Sequence, residues 1–249
     1  MASGFWALFT TLTMFDMILA FFALLGLLGV LDVWRHGGWR GWAVLGVAIG
    51  FGFLTKGPAI ALHVLPVALL APLWGGRLEG TGAGRKGWVG WYGGILLALV
   101  LGLAMALAWA VPAGVKGGAA FRDAIFWGQS AGRIVDSFAH GRPWWWYLAT
   151  TPPLLVPLIA WPGLWRSVAR RPVGLGDGGL RICLCWFGAA FLAFSAISGK
   201  QLHYLLPIFP ALALALARVL AASGEETSSA HRDLAVPGGM VALVGVAIL

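Results

Sequence analysis

The chain has 249 residues, a mean hydropathy of +0.86, 15 tryptophans and only 10% charged residues, where a soluble domain carries roughly 25%. That composition excludes a soluble domain of any size. A formal charge of +8 would suit nucleic acid, but the Lys and Arg residues are scattered between apolar runs and form no single polar face.

The sequence opens "MASGFWALFTTLTMFD", with no positive region ahead of its first apolar stretch, so no signal peptide is expected. It closes "GGMVALVGVAIL", inside another apolar run. Residues 1–249 therefore read as one transmembrane domain, truncated at both ends. A span needs about 20 apolar residues, which predicts spans near 15–34, 41–55, 58–74, 88–112, 145–165, 181–197, 204–222 and 236–249, about eight in all. Residues 3–12 read as the tail of an earlier span. The runs are apolar around their whole circumference, which predicts an all-α polytopic membrane protein and excludes the ten-residue alternation of a barrel.

Orientation follows from the cations. Arg35, Arg40, Arg77, Arg85, Lys86, Arg166, Arg170, Arg171, Arg181, Arg218 and Arg232 fall on alternate connections. The opposite connections hold the fewer Lys56, Lys116, Arg122, Arg133, Arg142 and Lys200. The first set is assigned to the cytoplasm, which leaves the second on the outer face, where cations need a reason to be.

Asp16 is the one acid deep in an apolar segment, "TTLTMFDMILAFF". Such a carboxylate is costly and faces a cavity or a partner; the topology puts it near the outer surface, where an ion pair with Lys56 or Lys200 is the structural alternative to a functional role. Lys56 stands in a Thr-Lys-Gly-Pro turn between two short spans. It is either snorkelling to headgroups or a fixed counter-charge for a lipid-borne anion. The loop 113–144 follows on the outer face, with Phe121, Ile125, Phe126, Ile134 and Phe138 at approximate helical spacing, which predicts a helix along the membrane surface. Its later part carries Arg133, His140 and Arg142 ahead of Trp144, Trp145, Trp146 and Tyr147. The tryptophans read as an interfacial belt, which does not require Arg133 or His140.

Cys183 and Cys185 form a lone C-x-C without further ligands at metal spacing, and read as core residues. "SAISGKQLHYLLPIFP" from Ser195 to Pro210 repeats the small residue, Gly and Lys of the first hairpin tip. Lysine acts on phosphate as a compact point charge, and glycine admits close approach to the backbone. His203 and Tyr204 add donors within a turn of Lys200.

At these residues the chain resembles the polyprenol-phosphate-sugar-dependent transferases of the GT-C superfamily, that is, the protein O-mannosyltransferases and, more closely, the branch with aminoarabinose lipid A transferase. The similar segments are "TLTMFDMILAFF" (11–22), "FLTKGP" (53–58), the pattern from Arg133 through His140 to Tyr147, and "SGK" through "YLLPIFP" (198–210). The resemblance implies a GT-C-like helical bundle in the bacterial inner membrane whose active site faces the periplasm. It implies transfer of a sugar from a polyprenyl-phosphate carrier to a lipid or protein acceptor, with membrane lipids as surroundings and no nucleic acid partner. Asp16 would be a carboxylate at the reaction centre; Lys56, Arg133, Lys200 and Tyr204 would hold the carrier phosphate, and His140 and Tyr147 would line the same cavity. The family carries its principal acidic site on an earlier outer loop, and this chain reads as beginning after it. No cofactor is assigned; a divalent metal is possible in the family, but where the lipid A branch has acidic and His residues this chain reads Gly128-Gln129-Ser130. The competing reading is a transporter or flippase that binds a polyprenyl phosphate without reacting, although no clear inverted repeat is visible.

Overall fold

The computed structural model describes residues 14–77, 82–126, 141–156, 158–170, 174, 176–223, 233 and 235–248. The described residues form helices α1 (Phe15–His36), α2 (Arg40–Lys56), α3 (Ala59–Leu69), α4 (Ala71–Trp74) and α5 (Gly82–Asp123). After these come α6 (Trp146–Leu154), α7 (Pro162–Arg170), α8 (Gly178–Ala196), α9 (Phe209–Ser223) and α10 (Ala235–Ile248), with a 3₁₀ turn at Leu202–Ile208 leading into α9. One isolated antiparallel bridge, Gly141 with Gly199, is the β-type pairing among the described residues. The all-α expectation holds.

The number of spans does not. Among the described residues four segments are long and apolar enough to cross a membrane: Phe15–His36, Gly87–Phe126, Gly178–Ala196 and Leu202–Ala221. Proline explains much of the shortfall from eight. A proline inside a helix removes one hydrogen bond and clashes with the carbonyl four residues back. The run expected at 58–74 breaks at Leu70, with Pro66 inside α3 and Pro72 in the first turn of α4. The run expected at 145–165 yields only the nine residues of α6, which ends just after Pro152 and Pro153. The helix α2 reaches 17 residues and α10 only 14. By contrast, α5 passes Pro112, and of the expected outer loop residues 113–117 and 119–123 are helical on either side of a kink at Gly118, as another kink stands at Gly87.

The break between α3 and α4 is repaired by side chains. Pro72 has no N–H to offer Ala68, and the carbonyl of Ala68 accepts instead from Trp91 Nε1 at 2.9 Å. Its neighbours Val67 and Leu69 accept from Trp74 Nε1 at 2.8 Å and from the Tyr92 hydroxyl at 3.1 Å. Trp34, Trp42, Trp74 and Trp91 are buried and meet edge to face, with the Trp42 and Trp91 rings 5.0 Å apart. This aromatic cluster closes the end of the bundle that carries Arg35 and Arg40. On the same side Asp177 caps α8, accepting from Leu180 N at 2.8 Å, and pairs with Arg218 of α9 at 2.9 Å. Near the turn that joins them α1 and α2 lie backbone to backbone: a Cβ added at Gly29 would stand 2.6 Å from the carbonyl oxygen of Gly41.

Two outcomes follow from these contacts. Trp91→Phe keeps the ring but orphans a buried carbonyl and is expected to cost about 1–3 kcal/mol, read as a lower unfolding midpoint in mild detergent; Pro72→Ala, which restores an N–H, should offset part of the loss. The Arg218 guanidinium holds the Asp177 carboxyl below its ordinary value. The stabilisation from this pair is therefore present above the unfolded carboxylate pKa and is lost as pH falls through the lower folded value. Asp177→Ala should remove that acid-dependent part of the unfolding profile.

Candidate functional site

The end of the bundle opposite the tryptophans gathers most of the residues singled out in sequence. Asp16 lies in the first turn of α1 and is only 4% exposed. Lys56 is the last residue of α2, which stops because Gly57 turns to φ 63°, a conformation that suits glycine. The antiparallel packing of the two helices brings the charges together, and Lys56 Nζ stands 2.5 Å from Asp16 Oδ1. The ion pair left open for Asp16 in sequence is therefore formed, with Lys56 as the partner.

The 3₁₀ turn supplies the second layer. The Lys56 ammonium sits over the Tyr204 ring, 4.5 Å from its centroid, a cation–π contact strengthened by partial desolvation. His203 Nε2 lies 3.9 Å from the other Asp16 oxygen, and its ring meets Tyr204 edge to face. Asp16 is thus approached by Lys56 on one oxygen and His203 on the other. The sequence showed His203 only as a donor near Lys200; its approach to Asp16 depends on a fold contact that spacing does not reveal.

Beside this pair lies a cavity of about 570 Å³, lined by Phe15, Phe53, Leu107, Trp109 and Phe126 among others, with Lys56 the one charged residue of its described lining. Thr55 and Gly57, the chain neighbours of Lys56, line the cavity as well. The contribution of Trp109 and Phe126 was hidden in sequence, where both read as lipid-facing or loop residues.

Lys200 and Tyr147 are at the same end but point elsewhere. Lys200 is 3% exposed, and its ammonium donates to the carbonyls of Arg142, at 3.1 Å, and of Ile197. Burial among these groups pushes its pKa down. Tyr147 is fully buried and donates to the Gln201 carbonyl at 3.0 Å. Arg133 and His140 lie outside the described residues. Divalent cations take several oxygen or nitrogen ligands; among the described residues no three His, Cys, Asp or Glu side chains converge, and Asp16 already carries an ammonium on one oxygen. That donor set does not fit a metal.

No family model and no solved structure matches the chain. Curated proteins do. The chain is 31% identical over 221 residues to the undecaprenyl phosphate-alpha-4-amino-4-deoxy-L-arabinose arabinosyl transferase of Pseudomonas paraeruginosa, a match covering 84% of the chain and 35% of that protein. The protein of the same name from Erwinia tasmaniensis is 31% identical over 84% of the chain and 36% of its own length. A third, from Sodalis glossinidius, is 34% identical over 77% of the chain and 32% of its own length. The chain spans about a third of the length of these relatives. Over most of its residues the chain is their homologue, and it belongs to the family of these membrane arabinosyl transferases.

Proposed function

We propose that the chain forms part of a membrane glycosyltransferase of the bacterial inner membrane, which moves a sugar from a polyprenyl-phosphate carrier to a lipid or protein acceptor on the outer face. The observation that carries this reading is Lys56 as the one charged residue in the described lining of an otherwise largely apolar cavity. A polyprenyl phosphate is one anionic head on a long hydrocarbon tail, and this cavity offers one cation beside apolar walls. The relatives, named as undecaprenyl phosphate-alpha-4-amino-4-deoxy-L-arabinose arabinosyl transferases, support the same substrate class.

On this reading an acceptor oxygen attacks the anomeric carbon and forms the new glycosidic bond. The bond from that carbon to the phosphate oxygen breaks, and its electron pair leaves with the polyprenyl phosphate. Lys56 stabilises the negative charge growing on that oxygen. Asp16 takes the proton of a hydroxyl acceptor, and Tyr204 and His203 hold the pair in place. Confining both lipid-borne reactants to one interface supplies much of the remaining rate. Arg133 and His140 belong to the proposal as further phosphate-binding and cavity-lining groups on the strength of the resemblance alone.

Two outcomes test the pair. Asp16→Asn leaves the Lys56 ammonium without its counter-charge and is expected to destabilise the protein by about 3 kcal/mol, whereas Asp16→Asn with Lys56→Met leaves no orphan charge and should recover most of that stability in detergent unfolding. In a transfer assay on membranes with a labelled polyprenyl-phosphate sugar, the same double variant should fall by about a hundredfold or more while remaining folded. Wild-type transfer by that variant would sink the reading, and label that crosses the membrane but stays on its carrier would favour a flippase.

A further inference from the structure

Lys200 does not face the cavity. Its ammonium is buried against two backbone carbonyls, one of its own hairpin and one 58 residues earlier in the chain. An ammonium out of water must find acceptors for its hydrogens, and here the acceptors are carbonyl oxygens of the protein. The contact is the centre of a short zipper. Gly141 pairs with Gly199 in an antiparallel bridge, Arg142 N donates to the Ser198 carbonyl at 3.1 Å, and the Tyr147 hydroxyl donates to the Gln201 carbonyl at 3.0 Å. Residues 141–147 are thereby fastened along 197–201. The segment that follows directly is the 3₁₀ turn, which holds His203 beside Asp16 and Tyr204 beneath the Lys56 ammonium.

We infer that Lys200 is a positioning residue: its ammonium staples the strap 141–147 to the hairpin 197–201, and so fixes the register at which His203 and Tyr204 meet the Asp16–Lys56 pair. This differs from the expectation that Lys200 binds the carrier phosphate, and its consequence for catalysis rests on the transferase reading above. The local motif "SGK" is shared in kind with the turn before Gly57, yet the two lysines do different work. Lys56 ends a helix and meets a carboxylate; Lys200 stands in extended chain between two helical segments and meets carbonyls. Burial also takes this ammonium out of water and lowers the pKa of Lys200.

The test uses introduced cysteines at the bridge, Gly141→Cys with Gly199→Cys, in membrane-embedded protein whose Cys183 and Cys185 are replaced by serine. Directly opposed residues of an antiparallel pair lie about 4.5–5.5 Å apart, within the reach of a disulfide. With Lys200 present, mild oxidation should join the pair. Lys200→Met should lower the cross-linking rate by about fivefold, the worth of one net hydrogen bond. Lys200→Gln, which still donates, should fall between and serves as the readout if the methionine variant does not accumulate. An unchanged rate in both variants overturns the staple. In the transfer assay, reduced Lys200→Met should lose kcat with little change in KM for the carrier, and oxidising the introduced pair should restore kcat. Failure of the disulfide to restore it would mean that Lys200 acts on the substrate itself, and the positioning role falls. If the Asp16→Asn, Lys56→Met protein also transfers sugar at the wild-type rate, the transferase reading fails, while the cross-linking rates still decide the staple.

Discussion

A carboxylate and an ammonium held together below the surface of the bundle organise everything else at the end opposite the tryptophans. Neither Asp16 nor Lys56 can be buried alone, since each would forfeit its hydration without compensation. Together they require α1 and α2 to run antiparallel, in register, and close. The close approach at Gly29 and Gly41 permits that packing. The helix ends reinforce it: Asp16 lies at the positive end of α1 and Lys56 at the negative end of α2, so each charge also complements the dipole of its own helix.

Helix length then decides where the pair sits. At 1.5 Å per residue, the 17 residues of α2 extend about 25 Å, less than the roughly 30 Å of a hydrocarbon core. On the orientation expected from the cations, with the tryptophan end of the bundle at one interface, Lys56 would come to rest at or just inside the other. On the transferase reading a phosphate head would be met there from the headgroup layer, with its chain among Phe53, Leu107 and Trp109 of the cavity lining. The opposite end is built differently: its indole N–H groups repair the α3–α4 break.

Much of this was legible in the sequence, and the failures have physical reasons. Lys56 could be placed at a hairpin tip because charge and Gly-Pro interrupt an apolar run, and Asp16 could be matched to a lysine because an intramembrane acid demands a partner. The span count went astray where hydropathy was read without backbone chemistry. The run 145–165 is apolar enough to cross, but it carries Pro152, Pro153, Pro157 and Pro162, and α6 stops after nine residues. The direction of Lys200 was out of reach for another reason. Its acceptor is the main-chain oxygen of Arg142, and a carbonyl carries no signature in a sequence. His203 is an intermediate case, visible as a residue type and invisible as a neighbour of Asp16.

Lys56 both pairs with Asp16 and lines the cavity, which on the transferase reading bears on how one site would hold a base and a leaving group at once. A carboxylate and a phosphate about 4 Å apart repel by about 4 kcal/mol at the effective dielectric of a protein surface. An ammonium between them reverses the sign of the nearest interactions, and the face of the Tyr204 ring keeps it from withdrawing toward the interior. The same geometry gives the reaction a direction. On the transferase reading, as the sugar leaves the carrier the phosphate would gain negative charge and Asp16 would lose its own by taking a proton, so the ammonium could shift its contact from carboxylate to phosphate without leaving its place. A cation that began as the counter-charge of the fold would thereby become the counter-charge of the product.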